Sequence, residues 1–162
     1  MLLASRANAA PMLGLGLTSN WPAGQGTWYG NAVGSVTAWR GPVGVMVEGG
    51  VSPWSADRGV GSIGGALHVA PFHMHDDDVT TRGWLEVGAS YEHWSSRDLA
   101  HPPWSRVLYR FGIGYDLVDD HRFGTQAFVR VQHGDALRAT SNEPIEIAGT
   151  SVVFGFVVLR DI

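Results

Sequence analysis

Arg106-Val107-Leu108-Tyr109-Arg110-Phe111-Gly112-Ile113-Gly114-Tyr115-Asp116-Leu117 places a large apolar side chain at every odd position and arginine, glycine or aspartate at most even ones. A period of two is that of a strand, so one face of this segment is greasy and aromatic and the other is small or charged. In a water-soluble sheet the greasy face turns inward. A membrane β-barrel inverts this, with hydrocarbon outside and a polar interior, and it is written in the same alternation.

The rest of the chain narrows the choice. Its 162 residues make one domain, and 44% hydrophobic content is enough for a core. Glycine is abundant (22 residues), tryptophan numbers seven, and only 16% of residues are charged, against roughly 25% in soluble domains. That is turn-rich β structure with few charged faces. No window nears eighteen consecutive apolar residues, which excludes a transmembrane helix, whereas a barrel strand needs only about ten alternating ones. The absence of cysteine excludes a disulfide scaffold and a thiolate metal site. A net charge of -4 with no basic stripe argues against nucleic acid as a partner. Gly14, Gly16, Gly64 and Gly65 precede no helix, so they are packing glycines rather than a phosphate cradle, and no cofactor is expected. Ala7-Asn8-Ala9-Ala10 has the small-x-small form of a signal-peptidase site, behind a short apolar run, Met1 to Ala4. Residues 1–10 therefore read as the end of an export signal or as an ordinary N-terminus, and 11–162 as the folded domain.

Alternating segments separated by turn signals fall at 12–21, 27–40, 43–52, 60–71, 83–94, 104–118, 122–133 and 146–160. Eight such segments predict an all-β fold, an eight-stranded antiparallel up-and-down transmembrane barrel of the bacterial outer membrane. Arg40-Gly41-Pro42 and Asp119-Asp120-His121 read as tight periplasmic turns, and 95–103 and 134–145 as long external loops. The connection 72–81 is long on the side that should be short. The segment 27–40 mixes the parities of Trp28, Val33, Val36 and Trp39, which points to a bulge.

Parity assigns an outward set that includes Leu13, Leu15, Leu17, Val43, Val45, Val47, Leu85, Val87, Ala89, Tyr91, Val107, Tyr109, Phe111, Ile113 and Tyr115. It continues through Ala127, Val129, Val131, Val152, Phe154, Phe156 and Val158, and none of these is charged. The complementary set holds Glu48, Glu86, Glu92, Arg106, Arg110 and Arg130. Three acids against three bases in a narrow interior must pair, which predicts a salt-bridged plug rather than an open pore. Trp21, Trp28, Trp94 and Trp104, near strand ends, are expected at the membrane interfaces. With both faces reversed, the same alternation also describes a soluble calycin-like barrel around a small apolar ligand.

The chemistry-bearing stretch is Phe128-Val129-Arg130-Val131-Gln132-His133-Gly134-Asp135, then residues 136–141, then Asn142-Glu143-Pro144-Ile145-Glu146-Ile147-Ala148-Gly149. Here the chain resembles the lipid A 3-O-deacylase family, small outer-membrane barrels also called acyloxyacyl-hydrolase-like. The match covers His133, Asn142, Ile145 and Glu146 in register, and Phe111-Gly112-Ile113-Gly114-Tyr115 is also similar. The resemblance implies hydrolysis of an acyl ester of lipopolysaccharide, with His133 as general base, Glu146 as the acid that orients it and Asn142 at the substrate. It implies outer-leaflet lipid as partner and leaves the oligomeric state open. The chain departs from the family pattern at Asp135, where a serine is expected, and at Pro144, where a glycine is expected. Asp135 cannot form the usual acyl-enzyme, and two carboxylates beside His133 would make it a poorer base. Thr140 and Ser141 are nearby hydroxyls. A barrel whose site is lost or repurposed, structural or adhesive and working through Arg97, Trp104 and the external loops, is the competing expectation.

Parity adds to the resemblance. His133 continues the outward set of its strand, with Asp135 two residues on, and Glu146 shares the even parity of Phe154 and Phe156. A second cluster, His73-Met74-His75-Asp76-Asp77-Asp78 with His68 upstream, reads as a solvated acidic loop, and no metal site is expected there. Glu86 and Glu92, six residues apart on one strand face, lie about 20 Å from each other and cannot share a substrate.

Overall fold

The computed structural model describes residues 11–24, 26, 28–53, 58–76, 79–96, 103–119, 123–138 and 145–162. The barrel strands are β1 (Met12–Pro22), β2 (Tyr29–Arg40), β3 (Val43–Pro53), β4 (Arg58–Asp76), β5 (Val79–Ser96), β6 (Trp104–Asp119), β7 (Phe123–Gly134) and β10 (Thr150–Asp161). Among the described residues these eight close in the order β1-β10-β7-β6-β5-β4-β3-β2, every pair antiparallel. Between β7 and β10 the chain adds a two-stranded ribbon, β8 (Leu137–Arg138) with β9 (Ile145–Ile147). Spatial neighbours are sequence neighbours apart from the closing pair, which is the up-and-down topology expected from the eight alternating segments. The export-signal reading of residues 1–10 lies outside the described residues.

Alternation decides the direction of every side chain. On β6, Tyr109, Phe111 and Ile113 are 60% exposed or slightly more, while Arg110 between them is completely buried. The outward set predicted by parity is exposed or half-buried throughout, and Glu48, Glu86, Glu92, Arg106, Arg110 and Arg130 are all buried. A soluble protein does not coat itself with Leu15, Leu17, Val45, Phe111 and Phe156 and hide its guanidiniums, so the faces are those of a barrel in lipid. The soluble calycin-like arrangement is excluded by the same observation. From Val107 to Leu117 the apolar side of β6 runs about 33 Å, which at a strand tilt near 40° covers roughly the 25 Å apolar band of such barrels.

Within, the charges pair as their equal numbers require. Glu48 Oε1 accepts from Arg130 Nη1 at 2.8 Å and from Arg110 Nη1 at 3.0 Å, while Glu86 takes Arg130 Nη2 at 3.3 Å and lies 2.9 Å from His68 Nε2. Glu92 pairs with Arg106 Nε at 2.7 Å and accepts from the Tyr29 hydroxyl at 2.9 Å. The polar pocket at mid-barrel, lined in part by Asn20, Asn31, Glu48, Arg130 and Gln132, holds only about 20 Å³, the space of a single water.

Below these ion pairs the interior is largely aromatic, with Asp116 accepting from Trp84 Nε1 at 2.6 Å and Arg82 lying over the Trp39 ring. Trp39, Trp84 and Phe128 share a cluster with Met12, Val153, Val157 and Leu159. Each of the three rings lies across a glycine on the paired strand: Trp39 on Gly44, Trp84 on Gly114 and Phe128 on Gly155. A Cβ at any of these glycines would run into the ring, so the small residue is what lets a large one lie flat inside an eight-stranded barrel.

Three local expectations change. Strand β2 carries no bulge: its register with β1 and β3 is unbroken, and Tyr29, Asn31, Val33, Ser35, Thr37 and Trp39 all face inward. Val33 and Trp39 broke the apparent pattern because the lower interior is apolar, while Trp28 precedes the strand. The irregularity is instead on β4, between Val69 and Phe72. It moves the outward parity from odd to even residues, keeping Phe72 and Met74 on the outer face. The long connection 72–81 dissolves too, since β4 and β5 run as paired strand to Asp76 and Val79, with β5 still in register with β6 as far as Asp119. Among the described residues no group of three metal-ligating side chains forms. Finally, Trp94 and Trp104 do not sit at the membrane interface. Their even parity turns them inward, where Trp94 packs edge-on against Tyr29 with centroids 5.1 Å apart and Trp104 packs beside them. Trp21 and Trp28 do face outward, edge to face at 6.1 Å.

Candidate functional site

His133 is the penultimate residue of β7, and odd parity turns it outward, as expected. Its register partners are Tyr109 on β6 and Thr150 on β10. Thr150 is the first residue of its strand, and its Oγ1 lies 2.8 Å from His133 Nδ1. An imidazole and an alcohol are therefore in hydrogen-bonding contact on the outer face of the barrel, at the rim opposite Met12 and Asp161. Thr150 was not among the residues singled out from sequence; the signal is only visible once β7 and β10 are set in register.

Beside them is an open groove of about 500 Å³, walled by Tyr91, Ser105, Val107, Tyr109, His133 and Asp135. Asp135 follows the end of β7 and is exposed, two residues along from His133. A second imidazole–alcohol pair stands across β5 and β6, His93 Nδ1 to Ser105 Oγ at 2.9 Å, again between register partners on the outer face. Among the described residues neither imidazole is hydrogen-bonded to a carboxylate.

The rim beneath this groove is held from inside. Arg106, buried in its ion pair with Glu92, donates through Nη1 to the Asp135 carbonyl at 3.2 Å and to the Ala148 carbonyl at 2.8 Å. Gly134 N adds a hydrogen bond to Gly149 O at 2.8 Å, joining the ends of β7 and β10. One interior cation thus fixes the backbone on both sides of the His133–Thr150 pair.

The parity count back from Val152, Phe154 and Phe156 does not reach Glu146, because the chain breaks strand at Ala148 and Gly149 and Glu146 belongs to β9. Ala148, which the count would also put outward, is buried. Asn142, Thr140, Ser141 and Pro144 lie outside the described residues, as does Arg97. The two carboxylates Glu86 and Glu92 serve separate ion-pair groups, in keeping with their separation along β5.

No family model matches the chain, and no curated protein matches it in sequence. Its architecture does have solved relatives. The N-terminal β-barrel domain of Pseudomonas aeruginosa OprF superposes with a TM-score of 0.60 at 10% identity, over 91% of this chain and 96% of that one. The fold is that of a small outer-membrane β-barrel. Neisserial surface protein A matches with a TM-score of 0.58 at 11% identity, over 94% of this chain and 96% of its own. Ail, the attachment invasion locus protein of Yersinia pestis, gives 0.50 at 11% identity, over 94% and 95%. At these identities the likeness is one of fold.

Proposed function

We propose that this chain resides in the outer membrane and works on its outer leaflet, binding lipopolysaccharide at the His133 groove and hydrolysing an acyl ester there. The observation that carries the reading is the 2.8 Å contact between His133 Nδ1 and Thr150 Oγ1 on the lipid-facing rim. With its proton on Nε2, the imidazole accepts the hydroxyl hydrogen through Nδ1, and Thr150 Oγ1 attacks the ester carbonyl carbon. The carbon–oxygen bond to the sugar breaks, the departing oxygen recovers the proton from the imidazole, and water then cleaves the acyl-threonine to free the fatty acid. Asp135, on the same groove, is the carboxylate assigned to the imidazolium; Glu146 is a second acid and Asn142 a substrate contact by resemblance alone. Asp135 in the place of a serine is then no loss of nucleophile, because the alcohol comes from the neighbouring strand.

A second reading has its own observation behind it. Neither imidazole touches a carboxylate among the described residues, and a barrel with a part in attachment, the first word in the name of the Yersinia pestis neighbour, needs no such contact. The experiment is incubation of the detergent-purified barrel with lipopolysaccharide, followed by mass spectrometry of lipid A. Loss of the 3-linked acyl chain is expected, retained by Thr150→Ser and reduced roughly 10²-fold or more by Thr150→Val and His133→Ala. An intact acyl pattern with the unaltered protein leaves attachment as the reading.

A further inference from the structure

Directly below the His133–Thr150 pair, the outer face is shaped by one strand. The outward residues of β10 run Thr150, Val152, Phe154, Phe156, and the two phenylalanines, both about half exposed, stand as a ridge. On each side of them small outward residues alternate with larger ones. In register with the ridge on β1 and β2 lie Ser19 with Gly30 and, one step down, Leu17 with Ala32; on β7, Phe156 faces Ala127. The result is two grooves that share Phe154 and Phe156 as a common wall. One, about 810 Å³, runs over Gly30 and Ala32 beneath Trp28. The other, about 570 Å³, runs over Ala127 between Tyr115 and Val129.

The ridge is built from below as well as above. Gly155, between the two phenylalanines, faces inward and receives the Phe128 ring, which holds the strand close to the interior packing. Trp28 is fixed at the top of the larger groove by its Nε1 hydrogen bond to Ser19 Oγ at 2.7 Å and by its edge contact with Trp21. Indoles in that position mark the boundary between headgroups and hydrocarbon. What lies below Trp28 on an outward face is acyl chain, and the ridge starts about 13 Å along the strand from Thr150.

We infer that the two grooves form a seat for a single multi-acyl lipid of the lipid A class, whose headgroup lies over His133 and Thr150 and whose chains descend on either side of Phe154 and Phe156. The inference rests on the outer-leaflet reading above and names the shape of its ligand: a lipid with chains on both sides of one strand, rather than a single-chain lipid. Polar residues at the rim and apolar grooves beneath then discriminate by chain number.

Retention measured by native mass spectrometry separates this seat from the hydrolytic reading. The barrel, stripped of lipid in mild detergent, is given purified lipid A or, as the single-chain comparator, lyso-phosphatidylethanolamine. One lipid A is expected to stay bound, at least about tenfold more strongly than the lyso lipid, and Ala32→Trp or Ala127→Trp, each filling one groove, is expected to cut retention about tenfold. Leu67→Trp, on β4 at the opposite wall of the barrel, is the control for added bulk. Phe154→Ala with Phe156→Ala, which removes the ridge without adding volume, should erase the preference for lipid A over the lyso lipid. Equal retention of the two lipids, or an effect of only one groove-filling variant, overturns the two-groove seat. Retention of lipid A by the unaltered protein while no ester is cleaved upholds the seat and sinks the hydrolase.

Discussion

The guanidinium of Arg106, inside the barrel, hydrogen-bonds the carbonyl of Asp135, on its outer rim, at 3.2 Å. Interior charge and exterior site are therefore one construction. Replacing Arg106 by methionine removes the cation from Glu92 and releases both rim carbonyls. A buried carboxylate stripped of its partner costs about 3–5 kcal/mol. Arg106→Met should lower the temperature of the folded-to-unfolded mobility shift on gels, and adding Glu92→Gln should restore much of it. Equal midpoints for the single and double variants would refute the pairing.

Glu48 is shared by two guanidiniums, so its loss is expected to be strongly destabilising. Glu48→Ala leaves Arg110 and Arg130, both fully buried, facing each other with Glu86 alone between them. The cost expected from breaking a buried pair is again about 3–5 kcal/mol. Urea unfolding in lipid vesicles measures it, and Glu48→Ala combined with Arg110→Met should be more stable than Glu48→Ala alone.

Gly114 and Trp84 should behave as a coupled pair. A methyl group at Gly114 meets the indole, and overpacking of this kind costs about 1–3 kcal/mol. Gly114→Ala should therefore destabilise the barrel, while in a Trp84→Leu background the same change should cost little. A double-mutant cycle with no coupling energy would contradict the ring-on-glycine packing.

Phe111 lies in mid-band on the outer face. Phe111→Arg should destabilise the barrel in vesicles by about 2–4 kcal/mol, the cost of a cation at the bilayer midplane. Phe111→Leu should be nearly silent. A silent Phe111→Arg would mean that this face does not meet hydrocarbon.

Much of the fold was legible in the sequence because a strand has only two faces. Once Tyr109, Phe111 and Ile113 are outside, Arg110 must be inside, and the equal count of Glu and Arg on the hidden face implies their pairing. Legibility failed where the period is interrupted. The irregularity between Val69 and Phe72 moves the outward set to the other parity without any change in composition. The break at Ala148 and Gly149 severs Glu146 from the strand by which its direction was counted. The site was readable only in its first member: His133 follows from parity, but Thr150 is seventeen residues away and becomes its partner through the register of two strands.

The residue pattern by itself determined which side of each strand meets lipid, since side chains alternate and burying a charge without its counter-charge is prohibitive. It thereby determined a closed barrel with a neutral, filled interior. What only the tertiary structure decided is everything that depends on one strand lying beside another at a given offset: Glu48 between two arginines, a ring over each of three glycines, an alcohol against His133, and a phenylalanine ridge between two grooves. Register is set by the sum of many cross-strand contacts around the closed sheet, and no segment of the chain carries that sum alone.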